Sequence, residues 1–316
     1  FDDNTVADGI VSRTCERLSG ISVPVYILPG NHDFAGSPSC VYQREPFRSR
    51  KPDHVRVLDS PEPTHVETDE GEDVLILPAP VRRRNERGDP TSHITSEFGQ
   101  EEAPEALRVG LAHGGVEAFG AGDAASRIDP VRAEEADLDY LTLGDWHGTK
   151  QVGLRTWYSG TPEPDSFKQN GPGHVLGVEI ERLGAKPVVE PVETAQTRWI
   201  RKEVGIRREE DLEAFRGWCE DLPDPLNALV RLELRGRLGL KAMSSLEEVL
   251  DDLENTVLHL RRRGDGVRPK ASLDEIDAIA TDGYVRTAVE RLKTEAESGE
   301  ESAEEALQLL YQLKRE

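Results

Sequence analysis

The chain has 316 residues, with 39 Lys and Arg against 61 Asp and Glu, which gives a formal net charge of −22. The length exceeds the ~100–200 residues of a typical domain and predicts two domains. The acidity argues against a protein that coats nucleic acid, because such proteins neutralise phosphates with basic residues. No apolar run approaches the ~18 residues of a membrane span, which argues against an integral membrane protein. Cys15, Cys40 and Cys219 form no C-x-x-C pair, so we expect a reducing, cytoplasmic setting.

Residues 1–150 alternate helical and strand-like patterns. Apolar residues at helical spacing from Val6 to Leu18 predict a first helix that ends near Gly20. Four short apolar runs follow, each leading into a polar loop: VPVYILPGNHD, DVLILPAPV, LRVGLAHGGV and ADLDYLTLGDWHG. Such runs are typical of strands buried on both faces of an α/β sheet. Because ligands bind at the carboxyl ends of these strands, the loops predict a site at one sheet edge.

The pattern changes after residue 153 to strand-like segments with turns, and a second unit is predicted from residue 196. This unit offers the strands TRWIRKEV and NALVRLELRG, the helix EEDLEAFRGWCEDL, a helix opened by a Ser244–Glu247 capping box, and a basic loop, RRRGDGVRPK. The remaining residues predict helices, the last with an apolar stripe. The predicted domains are 1–195, 196–272 and 273–316.

Residues able to bind metal ions cluster in three of the strand-end loops. They are Asn31, His32, Asp33, His113, Asp145 and His147. Side-chain oxygens suit hard divalent ions, and imidazole suits transition metals. The same residue types are ordinary in turns, and a lone His is more often packed or exposed than a ligand. Three His at strand ends beside glycines favour a shared metal site over an accident of turn composition.

This set of motifs resembles the calcineurin-like metallophosphoesterase superfamily. GNHD, an isolated strand-end His and G-[HD]-x-H follow in the superfamily's order, and GDWHGTKQ with RTWYSGTPEPDSF is similar to bacterial DNA repair exonucleases of the SbcD type. The resemblance covers about residues 1–195 and, more weakly, the unit after it. It implies a four-layer α/β/β/α sandwich with a small α/β capping domain and C-terminal helices.

The resemblance also implies metal ligands. Asn31 and His113 match ligands of the second metal, and His147 matches a ligand of the first. Asp145 stands where the superfamily usually has His, and a carboxylate there favours manganese, or magnesium, over zinc. The implied cofactors are two divalent ions that activate water and clamp the phosphate oxygens of a phosphodiester.

Two matching residues carry implied catalytic roles. His32 would stabilise the transition state or protonate the leaving oxygen, with Asp33 tuning its ring. The superfamily also has upstream D-x-H and G-D-x-x-[DN] motifs, and the opening FDDN is similar to the tail of the latter. We therefore expect the bridging Asp to lie before Phe1, and the chain as given to lack its first core strand and to be weakly active or inactive. The other interpretation of Asp2 and Asp3 is an acidic helix start.

Two basic clusters and one aromatic residue are candidates for DNA contact. Residues 196–272 hold 15 basic and 15 acidic residues, so this unit is neutral in an acidic protein. The arginines of either cluster could contact a phosphate backbone and so position DNA. The alternative is a solvated charge run for the arginines and loop packing for the aromatic residue. The candidates are Arg82, Arg83, Arg84, Arg261, Arg262, Arg263 and Trp146.

The sequence thus predicts a DNA repair exonuclease-like metallophosphoesterase. The resemblance implies DNA as substrate and an SbcC-like ATPase partner that docks on the C-terminal helices. Acidic helices with one apolar stripe more often pack on their own domain. Two other functions stay open: a phosphoesterase acting on a small nucleotide or lipid substrate, and a non-catalytic scaffold with an eroded site.

Overall fold

The computed structural model describes residues 1–68, 71–101, 103–116, 127–168, 171–271, 276–277 and 283–315. Within these ranges the chain is a mixed α/β protein with seven α-helices and with both parallel and mixed sheets. It divides into two compact units, Phe1–Ala195 and Gln196–Glu316. The predicted α/β class is confirmed, whereas the four-layer sandwich stays a prediction.

The first unit alternates short helices and strands and ends in a hairpin. Its elements are α1 (Asp8–Ser19), β1 (Val25–Ile27), a 3₁₀ turn (Val41–Gln43), α2 (Glu45–Arg48), β2 (Val55–Val57), β3 (Thr64–Glu67), β4 (Asp73–Ala79), β5 (Leu107–His113), β6 (Gly115–Val116), β7 (Arg127–Ile128), α3 (Arg132–Glu135), β8 (Tyr140–Gly144), β9 (Lys150–Gln151), β10 (Thr156–Tyr158), β11 (His174–Glu179) and β12 (Val188–Glu193). The predicted first helix is confirmed: it ends at Ser19 with Gly20 as its C-cap, and it buries Val11 and Cys15.

A six-stranded sheet in the order β3-β4-β5-β8-β10-β9 forms the centre of the first unit. Strands β4, β5, β8 and β10 run parallel, and β3 and β9 are antiparallel edges. Strand β1 instead pairs with β2 in a separate parallel sheet, β6 pairs with β7, and β11 with β12. All four apolar runs form strands. The expectation that the first run shares a sheet with the other three is wrong, because β1 pairs with β2 in a sheet of its own.

The parallel strands of the central sheet contribute buried side chains that hold the strand ends in place. Leu75, Leu77 and Leu141 are completely buried, and each such side chain contributes about 1.5–3 kcal/mol when it leaves water. Gly110 in β5 makes this packing possible, since an added Cβ would lie 2.8 Å from side-chain carbons of both Leu138 and Leu141. The carboxyl ends of β5 and β8 are therefore held in a fixed register.

The second unit begins as a β-α-β-α-β fold. Its elements are β13 (Arg198–Ile206), α4 (Glu209–Glu220), β14 (Ala228–Leu238), α5 (Leu240–Thr256), β15 (His259–Pro269), α6 (Gly283–Glu297) and α7 (Glu301–Arg315). The three strands are parallel in the order β13-β14-β15. Alternate residues of β14, including Val230 and Leu232, are buried and share a core with side chains of α4 and α5.

Two details of the second unit correct the sequence interpretation. Helix α5 begins at Leu240 with Gly239 as N-cap, so Ser244 lies inside the helix and does not cap it. The segment RRRGDGVRPK is strand β15 and not a loop, because its backbone pairs with β14 across a register shift between Glu233 and Arg235. Pairing with a buried parallel strand overrides the turn-like glycines of that segment.

The C-terminal helices pack within the second unit. Val289 of α6 and Leu307 of α7 share a small core with Ala271 and Ile276. Buried Gln308 donates its side-chain amide to the Ala271 carbonyl at 3.0 Å and accepts the Ala271 N–H at 2.8 Å. Among the helices described, none has the length and apolar character needed to cross a membrane.

Candidate metal centre

The imidazole of His113 occupies a slot formed by two glycines. His113 ends β5, and its neighbour in β8 is Gly144. A Cβ at Gly144 would lie 2.8 Å from His113 Nδ1, and one at Gly30 would lie 2.8 Å from His113 Cε1. The backbone is tied as well: Gly114 N–H donates to the Gly144 carbonyl at 3.2 Å, and the Tyr158 hydroxyl donates to the Gly114 carbonyl at 2.7 Å. Larger side chains at either glycine would displace the ring.

Two other predicted ligands meet His113 at this edge. His113 Nε2 lies 3.2 Å from Asn31 Oδ1 and 3.6 Å from Asp145 Oδ1. The Asn31 amide nitrogen lies 3.5 Å from the same Asp145 oxygen. Three side chains from three separate loops thus place their polar atoms around one point.

Two separations between these side chains are close to those of atoms that share one divalent ion. Ligand atoms about 2.1 Å from a common ion, at tetrahedral or octahedral angles, lie roughly 3.0–3.4 Å apart. The Asn31–His113 and His113–Asp145 separations of 3.2 and 3.6 Å are close to that range. The fit depends on the Asn31 amide oxygen, because the described residues contain no group of three or more His, Cys, Asp and Glu placed to hold an ion. For a second ion they provide no comparable set, so the prediction of two ions stays a prediction.

The loop after β1 reaches the centre although β1 lies outside the central sheet. Val81, just beyond β4, donates its N–H to the Pro29 carbonyl at 3.1 Å, and Ala35 N–H donates to the Val81 carbonyl at 2.9 Å. These bonds fasten both sides of the loop that carries Asn31 to the end of β4. The sequence interpretation placed these residues after predicted strands but missed this backbone connection.

Asp33 closes the turn that contains Asn31. Its carboxylate accepts the Gly30 N–H at 2.7 Å and the Tyr42 hydroxyl at 2.5 Å. Burial raises the pKa of Asp33, and these hydrogen bonds lower it. These contacts show that the carboxylate stabilises the backbone turn, and its predicted role of tuning the ring of His32 stays a prediction.

The ring of His32 is oriented by the backbone. Its Nδ1 lies 2.8 Å from the carbonyl oxygen of Asp2. Because a carbonyl can only accept, Nδ1 must donate in this bond. The neutral ring then has its lone pair on Nε2, and the protonated ring has a second N–H there.

Asp145 has an unusual backbone conformation. Its φ of 101° lies in the region that favours glycine, and such a conformation costs of order 1–3 kcal/mol for other residues. It directly follows β8, at the point where the chain turns out of the sheet. The residue with the strained backbone is also the one whose side chain approaches His113. Backbone strain of this kind is typical of functional sites.

His147 has a partner that the sequence interpretation missed. Its Nδ1 lies 2.7 Å from Oδ2 of Asp165, and both side chains are about half exposed. Asp165 lies in an irregular segment after Pro162 and Pro164 and follows no periodic pattern. Among the described contacts, none joins His147 directly to Asn31, His113 or Asp145. Trp146 beside it is 47% exposed, with the Lys150 ammonium 5.1 Å from its ring centroid.

The predicted residues share one electrostatic environment. Burial lowers the pKa of His113 below its ordinary value, while two nearby carboxylates oppose this shift and two other imidazoles add to it. The carboxylates are Asp145 and Asp33, and the imidazoles are His32 and His147. A neutral imidazole is the form that binds a metal ion, so burial favours the ligand form of His113.

The two arginine clusters differ. Arg82, Arg83 and Arg84 are exposed and follow β4, where the Arg82 carbonyl accepts the Gly36 N–H from the loop of the candidate centre at 3.1 Å. The backbone of this cluster therefore adjoins the loop that carries Asn31.

The second cluster lies on strand β15, where Arg261, Arg262 and Arg263 are all exposed. Arg262 contacts three carboxylates of α5 within 3.2–3.8 Å: Glu247, Asp251 and Glu254. These ion pairs count against a phosphate contact for Arg262. Arg261 and Arg263 point to the opposite face of the strand, because successive side chains alternate.

A scan against known protein families matches none of them, and no curated protein is significantly similar to the chain. The functional interpretation therefore depends on the motifs and on the geometry of the site.

Proposed function

We propose that the first unit carries a divalent-metal-dependent phosphodiesterase site, similar to that of DNA repair exonucleases, with the four-layer α/β/β/α arrangement of that superfamily. The observation that carries the proposal is the convergence of Asn31, His113 and Asp145 within 3.2–3.6 Å at one edge of the central sheet. These three residues end or follow three different strands, and they match the ligand positions of the motifs that the sequence resembles.

The donor set supports a hard divalent ion, manganese or magnesium. Two of its three donors are oxygens, from an amide and a carboxylate, and the third is an imidazole nitrogen. Such an ion, when bound, polarises a phosphoryl oxygen and lowers the pKa of bound water. Asn31, His113 and Asp145 would hold it, and the proposal of two ions adds His147 as a ligand of the other.

His32 supplies proton chemistry at its Nε2. The Asp2 carbonyl fixes the Nδ1–H of this ring, so the protonated ring donates from Nε2 to an oxygen that leaves the phosphorus. As water bonds to phosphorus and the ester P–O bond breaks, this proton neutralises the negative charge that develops on the leaving oxygen, an effect that typically contributes 10²–10⁴-fold in rate.

DNA is the proposed substrate because exposed cations lie beside the site. Arg82, Arg83 and Arg84 are exposed, and they adjoin the loop of the candidate centre through the Gly36–Arg82 bond. Three adjacent guanidinium groups favour a polyanion over a small substrate with one phosphate. We further propose docking of an SbcC-like ATPase on α6 and α7. The three free thiols support the proposed cytoplasmic setting.

The test is manganese-dependent hydrolysis by the full chain of bis(4-nitrophenyl) phosphate and of labelled single- and double-stranded DNA. We expect slow hydrolysis that requires manganese and falls 10²-fold or more in His32→Ala, as loss of a general acid does. His65→Ala is the matched control, because His65 is a half-exposed ring in the same unit that contacts Asp73. Hydrolysis of the nitrophenyl ester without any cleavage of DNA would contradict the choice of substrate. Equal activity of His32→Ala and the wild type would contradict the site.

A further inference from the structure

His147 and Asp165 form a pair that the proposed function does not require. Oδ2 of Asp165 lies 2.7 Å from Nδ1 of His147. A carboxylate oxygen accepts, so Nδ1 carries the proton in this contact. The neutral ring therefore has its only lone pair on Nε2.

The segment that carries Asp165 is fastened to the loop that carries His147. Thr161 donates its N–H to the His147 carbonyl at 3.0 Å, and its hydroxyl donates to the same oxygen at 3.3 Å. Gly160, with φ of +77°, lies so close to this loop that an added Cβ would be 2.8 Å from Gly148 C. Pro162 and Pro164 restrict the backbone before Asp165. The carboxylate is thus presented to the ring by a constrained chain.

We infer that Asp165 is a positioning residue for His147: it fixes the ring tautomer so that Nε2 is the atom offered to a cation. The metal part of this inference rests on the proposed function. Imidazole ligands of metals almost always donate their other N–H to a carboxylate or carbonyl, and loss of that partner typically weakens metal binding 10- to 100-fold. Nothing in the spacing of the sequence joins these two residues.

A second pair in the same unit provides the control. His65 Nε2 lies 3.0 Å from Asp73 Oδ1, and these side chains are 49% and 50% exposed, against 51% and 48% for His147 and Asp165. That pair lies on the β3–β4 edge of the central sheet. Asp73→Ala removes the same kind of contact with the same exposure, but away from His147.

The first arm of the experiment measures the tautomer without any metal. The full chain is labelled with ¹⁵N-histidine, and the His147 ring nitrogens are observed by NMR at a pH where the ring is neutral. The wild type is expected to show the Nδ1–H form. Asp165→Ala is expected to lose this preference, Asp165→Asn to keep part of it through its amide oxygen, and Asp73→Ala to leave it unchanged. The same His147 tautomer in Asp165→Ala and the wild type would overturn the inference.

The second arm measures manganese affinity of the same proteins by calorimetric titration. Asp165→Ala is expected to bind about 10- to 100-fold more weakly, with Asp165→Asn between it and the wild type and Asp73→Ala unchanged. Full affinity in Asp165→Ala, despite a lost tautomer preference, would overturn the link to metal binding. If the wild type bound no manganese while the tautomer still changed, the proposed function would fail and the positioning role would stand.

Discussion

Nε2 of His113 lies 3.6 Å from Oδ1 of Asp145. The two residues end or directly follow adjacent parallel strands, β5 and β8, so the ladder that pairs His113 with Gly144 also sets this distance. Burial of the strand side chains fixes the ladder, and the two glycines that approach the ring leave it little room to turn. The candidate centre is thus a consequence of sheet register.

Gly144→Ala tests the glycine slot. Its Cβ would lie 2.8 Å from His113 Nδ1, and Gly30 approaches the same ring closely enough that a Cβ there would lie 2.8 Å from His113 Cε1. We expect a loss of about 1–3 kcal/mol of unfolding free energy, typical of overpacking, together with weaker manganese binding. Urea unfolding and manganese titration measure the two effects.

Gly177→Ala is the control for this substitution. A Cβ there would meet only the Glu190 carbonyl, at an ordinary 3.6 Å, in the β11–β12 hairpin. Its stability and metal affinity should match the wild type. A Gly144→Ala protein with wild-type stability and affinity would show that the slot does not constrain His113.

Asp145 offers a test of stored strain. Both Asp145→Gly and Asp145→Ala remove the carboxylate, but only glycine adopts a φ of 101° without cost. We expect Asp145→Gly to be more stable than Asp145→Ala by about 1 kcal/mol or more, while both lose manganese affinity. Denaturation curves of the two variants measure this difference. Equal stability of Asp145→Gly and Asp145→Ala would show that the backbone at this position is not strained.

Asp89 predicts a pH dependence of stability. Burial opposes its ionisation, but hydrogen bonds from Thr91 and Arg132 hold its pKa below the ordinary value. A depressed carboxyl pKa stabilises the fold at pH above the unfolded pKa, about 3.9, and this contribution is lost as pH falls through the folded pKa. Asp89→Asn should therefore cost roughly 1–3 kcal/mol near neutral pH, and less below about pH 4.

Chemical denaturation across that pH range measures the difference between Asp89→Asn and the wild type. The exposed Asp53 provides the control, and Asp53→Asn should track the wild type at every pH. A stability difference between Asp89→Asn and the wild type that stayed constant, or grew, as the pH fell would contradict the prediction.

The arginines beside the site predict a salt dependence of DNA binding. Replacing Arg82, Arg83 and Arg84 with Ala should weaken binding of labelled DNA about equally for all sequences. It should also lower the magnitude of the slope of log affinity against log salt by about 0.9 for each lost phosphate contact with a duplex. Fluorescence anisotropy at several salt concentrations gives the slope.

Exposed arginines of α6 serve as the control for this experiment. Arg286 and Arg291 are paired with Glu290 and Glu295 in the same helix, and their replacement should leave the slope unchanged. If both sets of substitutions lowered the slope equally, the cluster beside the site would have no special role.

The positions of Asn31, His113 and Asp145 could be predicted because the end of an apolar run marks the end of a buried strand. Parallel strands bring those ends to one edge. The pairing of β1 with β2 could not be predicted, because β2 is only three residues long and has no distinct apolar run. Asn31 still reaches the centre through backbone bonds of Val81, which side-chain patterns do not reveal.

Other features depended on tertiary contacts that override local signals. The segment RRRGDGVRPK has the glycines and charges of a loop. It forms a strand because its backbone pairs with β14, and carboxylates of α5 pair with its Arg262. Asp165 lies in an irregular, proline-rich segment, so no periodicity indicated that its carboxylate meets His147. Asp33 was correctly placed in the turn after β1, but the hydroxyl of Tyr42 that it accepts comes from a separate 3₁₀ turn.

The central claim is that Asn31, His113 and Asp145 together hold one divalent ion. Its most direct test is calorimetric titration of manganese into the full chain, into Asn31→Ala and His113→Gln, and into the control His65→Gln. We predict the same manganese affinity at this site in the wild type and in the control, and at least about tenfold weaker binding in each of the two site variants, the order of loss found when a metal site loses an interaction. Equal manganese affinity in all four proteins would contradict the account.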